Sequence, residues 1–296
     1  MIGAIATDRK ANLHGSLWMI AAMGIFAIED ALLKAVSVPL PIAQVLIIFG
    51  AGGAIVFACL ARLNNEPLFI RDVTSKPMHT RAVFEITGRL FYVLAIALTP
   101  LSAATVILQA TPLVVVAGAA LVFGEKVGWR RWSAIFIGLL GVIIIVQPGS
   151  ESFSILSVLA ILGMLGFAGR DLASRAAPAT LSTSLLGFYG FLAIVIAGVV
   201  FSLWEGVRFI TPDASTSLAL MGAVAAGVAA YTCLMKAMRT GEVSAVTPFR
   251  YTRLLFGITL GVVLFDEQVS TAMIFGSGLI VCSGLFIAWR RKPSQV

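Results

Sequence analysis

The sequence predicts an all-α polytopic membrane protein, with ten transmembrane helices arranged as two inverted five-helix repeats around a central cavity. Three observations lead there. Of 296 residues, 59% are hydrophobic and only 12% charged, whereas a soluble domain carries about 25% charged residues. The basic residues gather on one side of ten apolar segments. A pattern in the first half of the chain returns about 141 residues later.

The segments cover about 13–36, 41–62, 78–98, 101–123, 129–147, 153–177, 182–204, 216–238, 243–265 and 271–289. Each is near the ~20 residues that a bilayer crossing requires. Pro39 and Pro41 separate the first two. Thr99-Pro100, Gln147-Pro148-Gly149-Ser150, Ala177-Pro178 and Thr211-Pro212 mark later boundaries, because proline disfavours helical geometry in its predecessor. The first segment reads as a retained span, since Pro39 and Pro41 follow it rather than a small-residue cleavage site. With both termini cytoplasmic, 15 of the 21 basic residues fall on the cytoplasmic side, one (Arg208) falls opposite, and five lie within spans. The positive-inside rule therefore supports ten spans in that orientation, in a plasma membrane that for a bacterium is the inner one. All five tryptophans fall near segment ends, as interfacial tryptophans should.

The repeat is legible in two places. Phe26-Ala27 and Asp30 return as Phe167-Ala168 and Asp171, with Arg175 in the position of Lys34. At an offset of 142, residues 95–127 match 237–269 at eight positions, from Ala95 and Ser102 to Glu125 and Val127. The expected units are residues 1–148 and 149–296. Five is odd, so the second unit enters the membrane upside down, an arrangement in which substrate sites lie near the midplane between the repeats.

Nine ionisable residues sit inside these spans: Glu29, Asp30, Lys34, Glu85, Arg89, Arg170, Asp171, Arg250 and Arg253. Facing lipid, they would cost roughly 20 kcal/mol or more, at about 2.5–3.5 kcal/mol each. They are therefore expected to face one another or a watery path. Asp30 and Lys34 are spaced to pair along one helix face, as are Asp171 and Arg175. Arg81, Glu85, Arg89 and Tyr92 form a stripe on the third segment, with Arg81 expected to snorkel to the headgroups; His79, at the cytoplasmic mouth, reads as an ordinary interfacial histidine, with a titrating gate residue as the alternative. Structural locks between helices and substrate or gate roles both fit these residues.

Thr111-Pro112 in the fourth segment and Thr247-Pro248 in the ninth are expected kinks and candidate hinges, because proline removes a helix donor. Gln109 and Tyr251 correspond across the repeat, and Arg250 and Arg253 share a face. Tyr92, Tyr231, Tyr251 and Phe249 are candidates for an aromatic cavity wall, with core packing as the alternative for each.

The sequence lacks a phosphate-binding G-x-x-x-x-G-K-[ST] loop, H-E-x-x-H, G-x-S-x-G, and any Cys/His cluster. It therefore points away from ATP hydrolysis and enzyme chemistry, and no cofactor or metal is expected. The net charge of +7 is explained by topology rather than by nucleic-acid binding. Cys59, Cys233 and Cys282 lie in apolar runs and are expected to stay unpaired.

Leu121-Val122-Phe123-Gly124-Glu125-Lys126, echoed by Leu264-Phe265-Asp266-Glu267, resembles the drug/metabolite transporter superfamily, EamA-type. There each repeat ends its fourth helix with Gly-Glu and continues into a Gly-rich fifth helix; here Asp266 replaces the second glycine. Among members the chain looks most like bacterial YddG-type exporters of aromatic and other amino acids. The resemblance implies a basket-shaped bundle, a central cavity, alternating access and export of small metabolites.

Four acids and five bases within the spans suit a zwitterionic substrate such as an amino acid. Arginine (Arg250, Arg253 or Arg89) would hold the carboxylate, and an acid (Glu29, Asp30 or Glu85) the ammonium or a coupling proton. A multidrug or cation exporter, a nucleotide-sugar or nucleoside carrier, and a passive channel are the alternatives. The partners expected are the small-molecule substrate and the lipid bilayer, and a monomer suffices.

Overall fold

A computed structural model describes residues 2–124, 127–147, 154–176, 178, 180–240 and 246–289. Every regular element among them is helical. The order is α1 (Ile2–Val36), α2 (Ile42–Leu63), a 3-10 turn (Arg71–Thr74), α3 (Lys76–Leu98), α4 (Leu101–Leu108), α5 (Thr111–Phe123), α6 (Trp129–Val146), α7 (Ser157–Arg175), α8 (Thr183–Glu205) and α9 (Ala214–Thr240). A second 3-10 turn (Thr247–Tyr251), α10 (Thr252–Phe265) and α11 (Thr271–Trp289) complete the chain.

With α4 and α5 taken as one broken rod, and the second 3-10 turn joined to α10, ten rods result. Six are long and apolar enough to cross a membrane: Ile42–Leu63, Leu101–Phe123, Ser157–Ser174, Thr183–Glu205, Ala214–Met238 and Thr247–Phe265. Two more apolar stretches, Trp132–Val146 and Thr271–Ile287, are shorter. The two remaining rods, α1 and α3, carry five of the nine ions singled out above: Glu29, Asp30 and Lys34 on α1, Glu85 and Arg89 on α3.

Polarity is inverted relative to a water-soluble protein. Leu203 is 82% exposed, Leu121 77% and Phe275 67%, while Glu29 and Asp30 are 0% exposed. Apolar surface outside and ions inside is the arrangement that lipid selects, since a buried ion is tolerated where it meets another and an exposed leucine is not penalised by hydrocarbon.

Local chemistry sets the element ends. Pro41 and Pro100 precede the first turns of α2 and α4, where a missing N–H matters least. Ser182 caps α8 by accepting the Leu185 N–H, 3.2 Å, and Asp213 caps α9 by accepting the Thr216 N–H, 2.8 Å. The expected kink at Pro112 lies where α4 passes into α5 through Gln109 and Ala110, which keep right-handed helical backbone but interrupt the α-helical bonding. Proline cannot donate to the Leu108 carbonyl four residues back, and the Thr111 hydroxyl donates to it instead, at 2.5 Å. In the other half, Pro248 sits within the tight 3-10 turn that precedes α10.

The Gly-Glu pattern has a backbone cause. Gly124 follows α5 at φ +65°, and Asp266 follows α10 at φ +51°. Both close their helices in the left-handed region, which glycine enters freely and aspartate more readily than most residues. Asp266 is thus a tolerated variant of the same C-cap.

Helices pair mainly between the two halves of the sequence: α1 with α9, α2 with α8, α3 with α7, α4 with α10, and α6 with α11. The α3–α7 crossing is especially close. A Cβ on Gly166 would collide with the backbone of Gly88, so the two glycines let the helix backbones touch. That contact brings Glu85 of α3 level with Arg170 of α7.

Candidate functional site

All nine ions that the sequence places within apolar segments are brought to the seam between the two halves, in three tiers. In the middle tier, Glu29 and Asp30 project from α1 and are fully buried. Arg89 of α3 donates to Glu29 Oε1 at 2.7 Å. Arg253 of α10 donates to Asp30 Oδ2 at 2.6 Å, and the Tyr92 hydroxyl donates to the same oxygen at 3.0 Å. Both arginines lie over aromatic rings: Arg89 over Phe49 and Phe167 at 5.4 and 5.8 Å, Arg253 over Phe26 at 5.0 Å. Such stacking favours a guanidinium where water is scarce. Glu29 Oε2 and Asp30 Oδ1 have no protein partner among the described residues.

The second tier lies toward the start of α3 and the end of α7. Glu85 sits 3.4 Å from both Arg81 and Arg170. Arg170 also grips its neighbour Asp171 through Nε and Nη2, at 3.0 and 2.8 Å, and lies 4.8 Å from the Phe167 ring centroid. Arg250 approaches Asp171 Oδ2 at only 3.9 Å, with the two side chains 29% and 24% exposed. This is the loosest ion pair among the described residues and the one most open to water.

The third tier closes the opposite end. Lys34 Nζ donates to the carbonyls of Ile96 and Thr99, at 2.9 and 2.6 Å, and sits 3.7 Å from Glu267. Glu267 in turn accepts the backbone N–H groups of Leu101 and Ser102, at 2.6 and 2.9 Å, and the Ser102 hydroxyl at 2.7 Å.

Two sequence expectations, the Asp30–Lys34 pair and the snorkelling of Arg81, differ from these positions, and a third, the Asp171–Arg175 pair, rests on a side chain outside the described residues. The Asp30–Lys34 pair is not formed: Asp30 is claimed by Arg253 and Tyr92, while Lys34 extends to the carbonyl-rich end of α3. Asp171 pairs with Arg170 and Arg250, and the Arg175 side chain lies outside the described residues. Arg81 does not reach a headgroup region. It is 4% exposed and donates to the Ser174 hydroxyl at 3.1 Å.

The other candidates are dispersed. Gln109, at the α4–α5 break, donates to the Arg250 carbonyl at 2.9 Å and so ties the two proline-containing breaks together. Tyr231 meets Phe57 edge-on at 5.5 Å. Tyr251 is buried against α11, where Gly284 leaves room for its ring. Phe249 is 37% exposed. His79 stands exposed in the first turn of α3. Pro112 and Pro248 occupy the two breaks.

Glu267, which in the sequence belongs only to the Leu264-Phe265-Asp266-Glu267 motif, is a further residue of the site. The available signal was an acid just beyond one helix facing a proline-initiated helix whose first N–H groups lack acceptors. Among the described residues no cluster of three or more His, Cys, Asp or Glu has metal-binding geometry.

The sequence profile of the EamA-like transporter family matches residues 13–147 and again 154–289. An S-adenosylmethionine uptake transporter of Rickettsia prowazekii is 24% identical over 97% of this chain and 96% of its own length. A riboflavin transporter of Vibrio cholerae is 26% identical, covering 96% of each chain. The pseudopaline exporter CntI of Pseudomonas aeruginosa is 26% identical over 94% of this chain and 97% of its own. A solved crystal structure superposes with a TM-score of 0.58 at 19% identity, over 92% of this chain and 98% of the other. At that identity it shows a shared fold alone. These relatives are named for substrates other than aromatic amino acids, so the expected affinity to YddG-type exporters is not what they display.

Proposed function

The chain belongs to the EamA-like transporter family, and we propose that it is a secondary carrier exporting a small zwitterionic metabolite, an amino acid or a compound bearing an amino-acid headgroup. One observation carries this reading: Arg250 and Asp171 form a loose, partly exposed cation–anion pair beside a tightly paired, buried array. A substrate carboxylate would displace Asp171 from Arg250, and its ammonium would take the place of the guanidinium at Asp171. A pair at 3.9 Å has little hydrogen-bond energy to lose in that exchange. Phe167, stacked on Arg170 at 4.8 Å, would flank an aromatic substituent. The S-adenosylmethionine named for one relative carries the same ammonium–carboxylate headgroup, beside its sulfonium.

In this reading residues 1–148 and 149–296 are two inverted five-helix units, and all ten rods cross the bacterial inner membrane with both termini cytoplasmic. The helix pairings support it. Exchanging the halves turns the α1–α9 pair into α7–α3, and leaves α2–α8, α4–α10 and α6–α11 as pairs. In that orientation the second tier faces the cytoplasm and the Lys34–Glu267 tier faces outward, and substrate would enter by way of the second tier. A monomer contains the whole path.

Counterflow in proteoliposomes tests the proposal. Unlabelled substrate inside the vesicle is expected to accelerate entry of a labelled amino acid or S-adenosylmethionine. Arg250→Gln or Asp171→Asn is expected to raise KM at least tenfold with the protein still folded. Unchanged kinetics in both variants, or acceleration only by cationic dyes or riboflavin, refutes the zwitterion reading. Uptake indifferent to trans substrate refutes a carrier.

A further inference from the structure

We infer that Lys34 and Glu267 form the gate at the closed end of the path, by clamping the two helix ends that meet at the α3–α4 corner. The corner is Thr99-Pro100, where α3 ends and α4 begins. Its two faces have opposite polarity. The last carbonyls of α3 are electron-rich, and the first N–H groups of α4 are electron-poor. Lys34, from α1, binds the first face through the Ile96 and Thr99 carbonyls. Glu267, from the α10–α11 connection, binds the second through the Leu101 and Ser102 N–H groups.

The charges also meet each other at 3.7 Å. One corner of the first half is thus held simultaneously by α1 and by the second half. Each contact is charge-assisted and shielded, with side-chain exposures of 15% and 8%, the conditions under which such bonds are strongest. No path to the middle tier opens at this end until the carboxylate leaves the α4 N-terminus.

Further geometry shows how Glu267 is aimed. Its own N–H closes α10 by donating to the Gly261 carbonyl at 3.2 Å, just after the left-handed Asp266. Gly261 also leaves the space that the carboxylate fills: a Cβ there would collide with Glu267 Oε2. At its other end, α4 is tied to the second half through Gln109 and the Arg250 carbonyl. Helix α4 is therefore clasped at both ends by the segments that flank α10. Release of Glu267 frees one end and leaves the other as a pivot, beside Arg250 of the proposed substrate pair. The clamp rests on the carrier reading only for its consequence at the far end.

The test uses two reporter cysteines in protein whose Cys59, Cys233 and Cys282 are replaced by serine, purified in nanodiscs so that a charged maleimide reaches both faces. Thr105→Cys lies one turn beyond the clamp on fully buried α4 surface. Ser174→Cys lies in the second tier beside Arg81. With the clamp intact, the thiol introduced at position 105 is expected to react slowly and the one at position 174 faster. Glu267→Gln, Lys34→Met or Gly261→Ala is expected to speed labelling at 105 at least tenfold and slow it at 174, and Lys34→Arg to stay within threefold of the parent. Unchanged labelling at 105 overturns the gate. Faster labelling at both positions also overturns it, because it reveals local unfolding. Faster labelling at 105 with no change at 174 supports the gate and overturns alternation between the two ends, which separates this inference from the carrier reading.

Discussion

Removing Arg89 should damage the protein more than removing Arg89 and Glu29 together. Glu29 is 0% exposed and its Oε1 is held at 2.7 Å by Arg89, while Oε2 has no protein partner among the described residues. Arg89→Met leaves a buried carboxylate without its counter-ion, and breaking such a pair costs about 3–5 kcal/mol. At about 1.4 kcal/mol per decade, this is roughly two to four decades in the folding equilibrium. On the scale of about 2–4 °C per kcal/mol, the melting temperature should fall by roughly 6–20 °C. Methionine at 89 keeps apolar contact with Phe49 and Phe167, over which the guanidinium now lies, so lost packing adds little. In Glu29→Met/Arg89→Met both ions are gone, and exchanging a buried pair for apolar side chains is neutral or stabilising by about 1–4 kcal/mol. The double variant should melt at or above the parent temperature. Intrinsic tryptophan fluorescence during heating, in detergent-purified protein, measures all three. A single variant melting with the parent, or a double variant melting as low as the single, refutes a dry, paired Glu29.

Two further substitutions test the fold around the seam. Gly166→Leu forces apart the α3–α7 backbones, which already touch at Gly88. Overpacking of this kind costs about 1–3 kcal/mol, and the yield of monodisperse protein on size-exclusion chromatography should drop, with Gly166→Ala intermediate. Asp266→Gly relieves an L-residue held at φ +51° and should raise the melting temperature slightly. Asp266→Val should lower it by the equivalent of about 1–2 kcal/mol.

Helix positions and the existence of a charged seam were legible because they rest on one-dimensional signals. Apolar length marks a span, proline and glycine mark its ends, and a charge within a span must be sheltered. The partners of those charges were not legible. Spacing along α1 offered Lys34 to Asp30, yet helical adjacency is worth only about 0.2–0.5 kcal/mol, less than the two carbonyls and the carboxylate that Lys34 meets far along the chain. Arg253 reaches Asp30 across 223 residues, a distance over which no local pattern operates. Arg81 likewise looked interfacial from its place near a helix start. Its burial follows from the α3–α7 contact at Gly88 and Gly166, which no local pattern in the sequence marks. The expected fourth span, 101–123, and its kink at Pro112 both have a counterpart: one 23-residue apolar stretch, Leu101–Phe123, interrupted at Gln109 and Ala110. What the sequence did not mark is the Thr111 hydroxyl on the Leu108 carbonyl, which lets the helix bend there without an orphaned acceptor.

The three tiers differ in how much each resists motion, and that difference orders the proposed cycle. In the middle, short bonds of 2.6 and 2.7 Å join fully buried acids to stacked arginines; separating these charges exposes ions to a dry interior, so α1, α3 and α10 are expected to move together there. At the clamp, the bonds are to helix ends, to the Ser102 hydroxyl and to the opposite charge, and water at the opened end can replace each of them. At Arg250–Asp171 the pair is already 3.9 Å apart and partly wet, so a substrate can enter it with little rearrangement. Motion is then cheapest at the two ends and most costly at the centre, which is what a carrier requires of a rigid fulcrum with gates on either side. A channel would need the central ions to part as readily as the outer ones, and the burial of Glu29 and Asp30 opposes that.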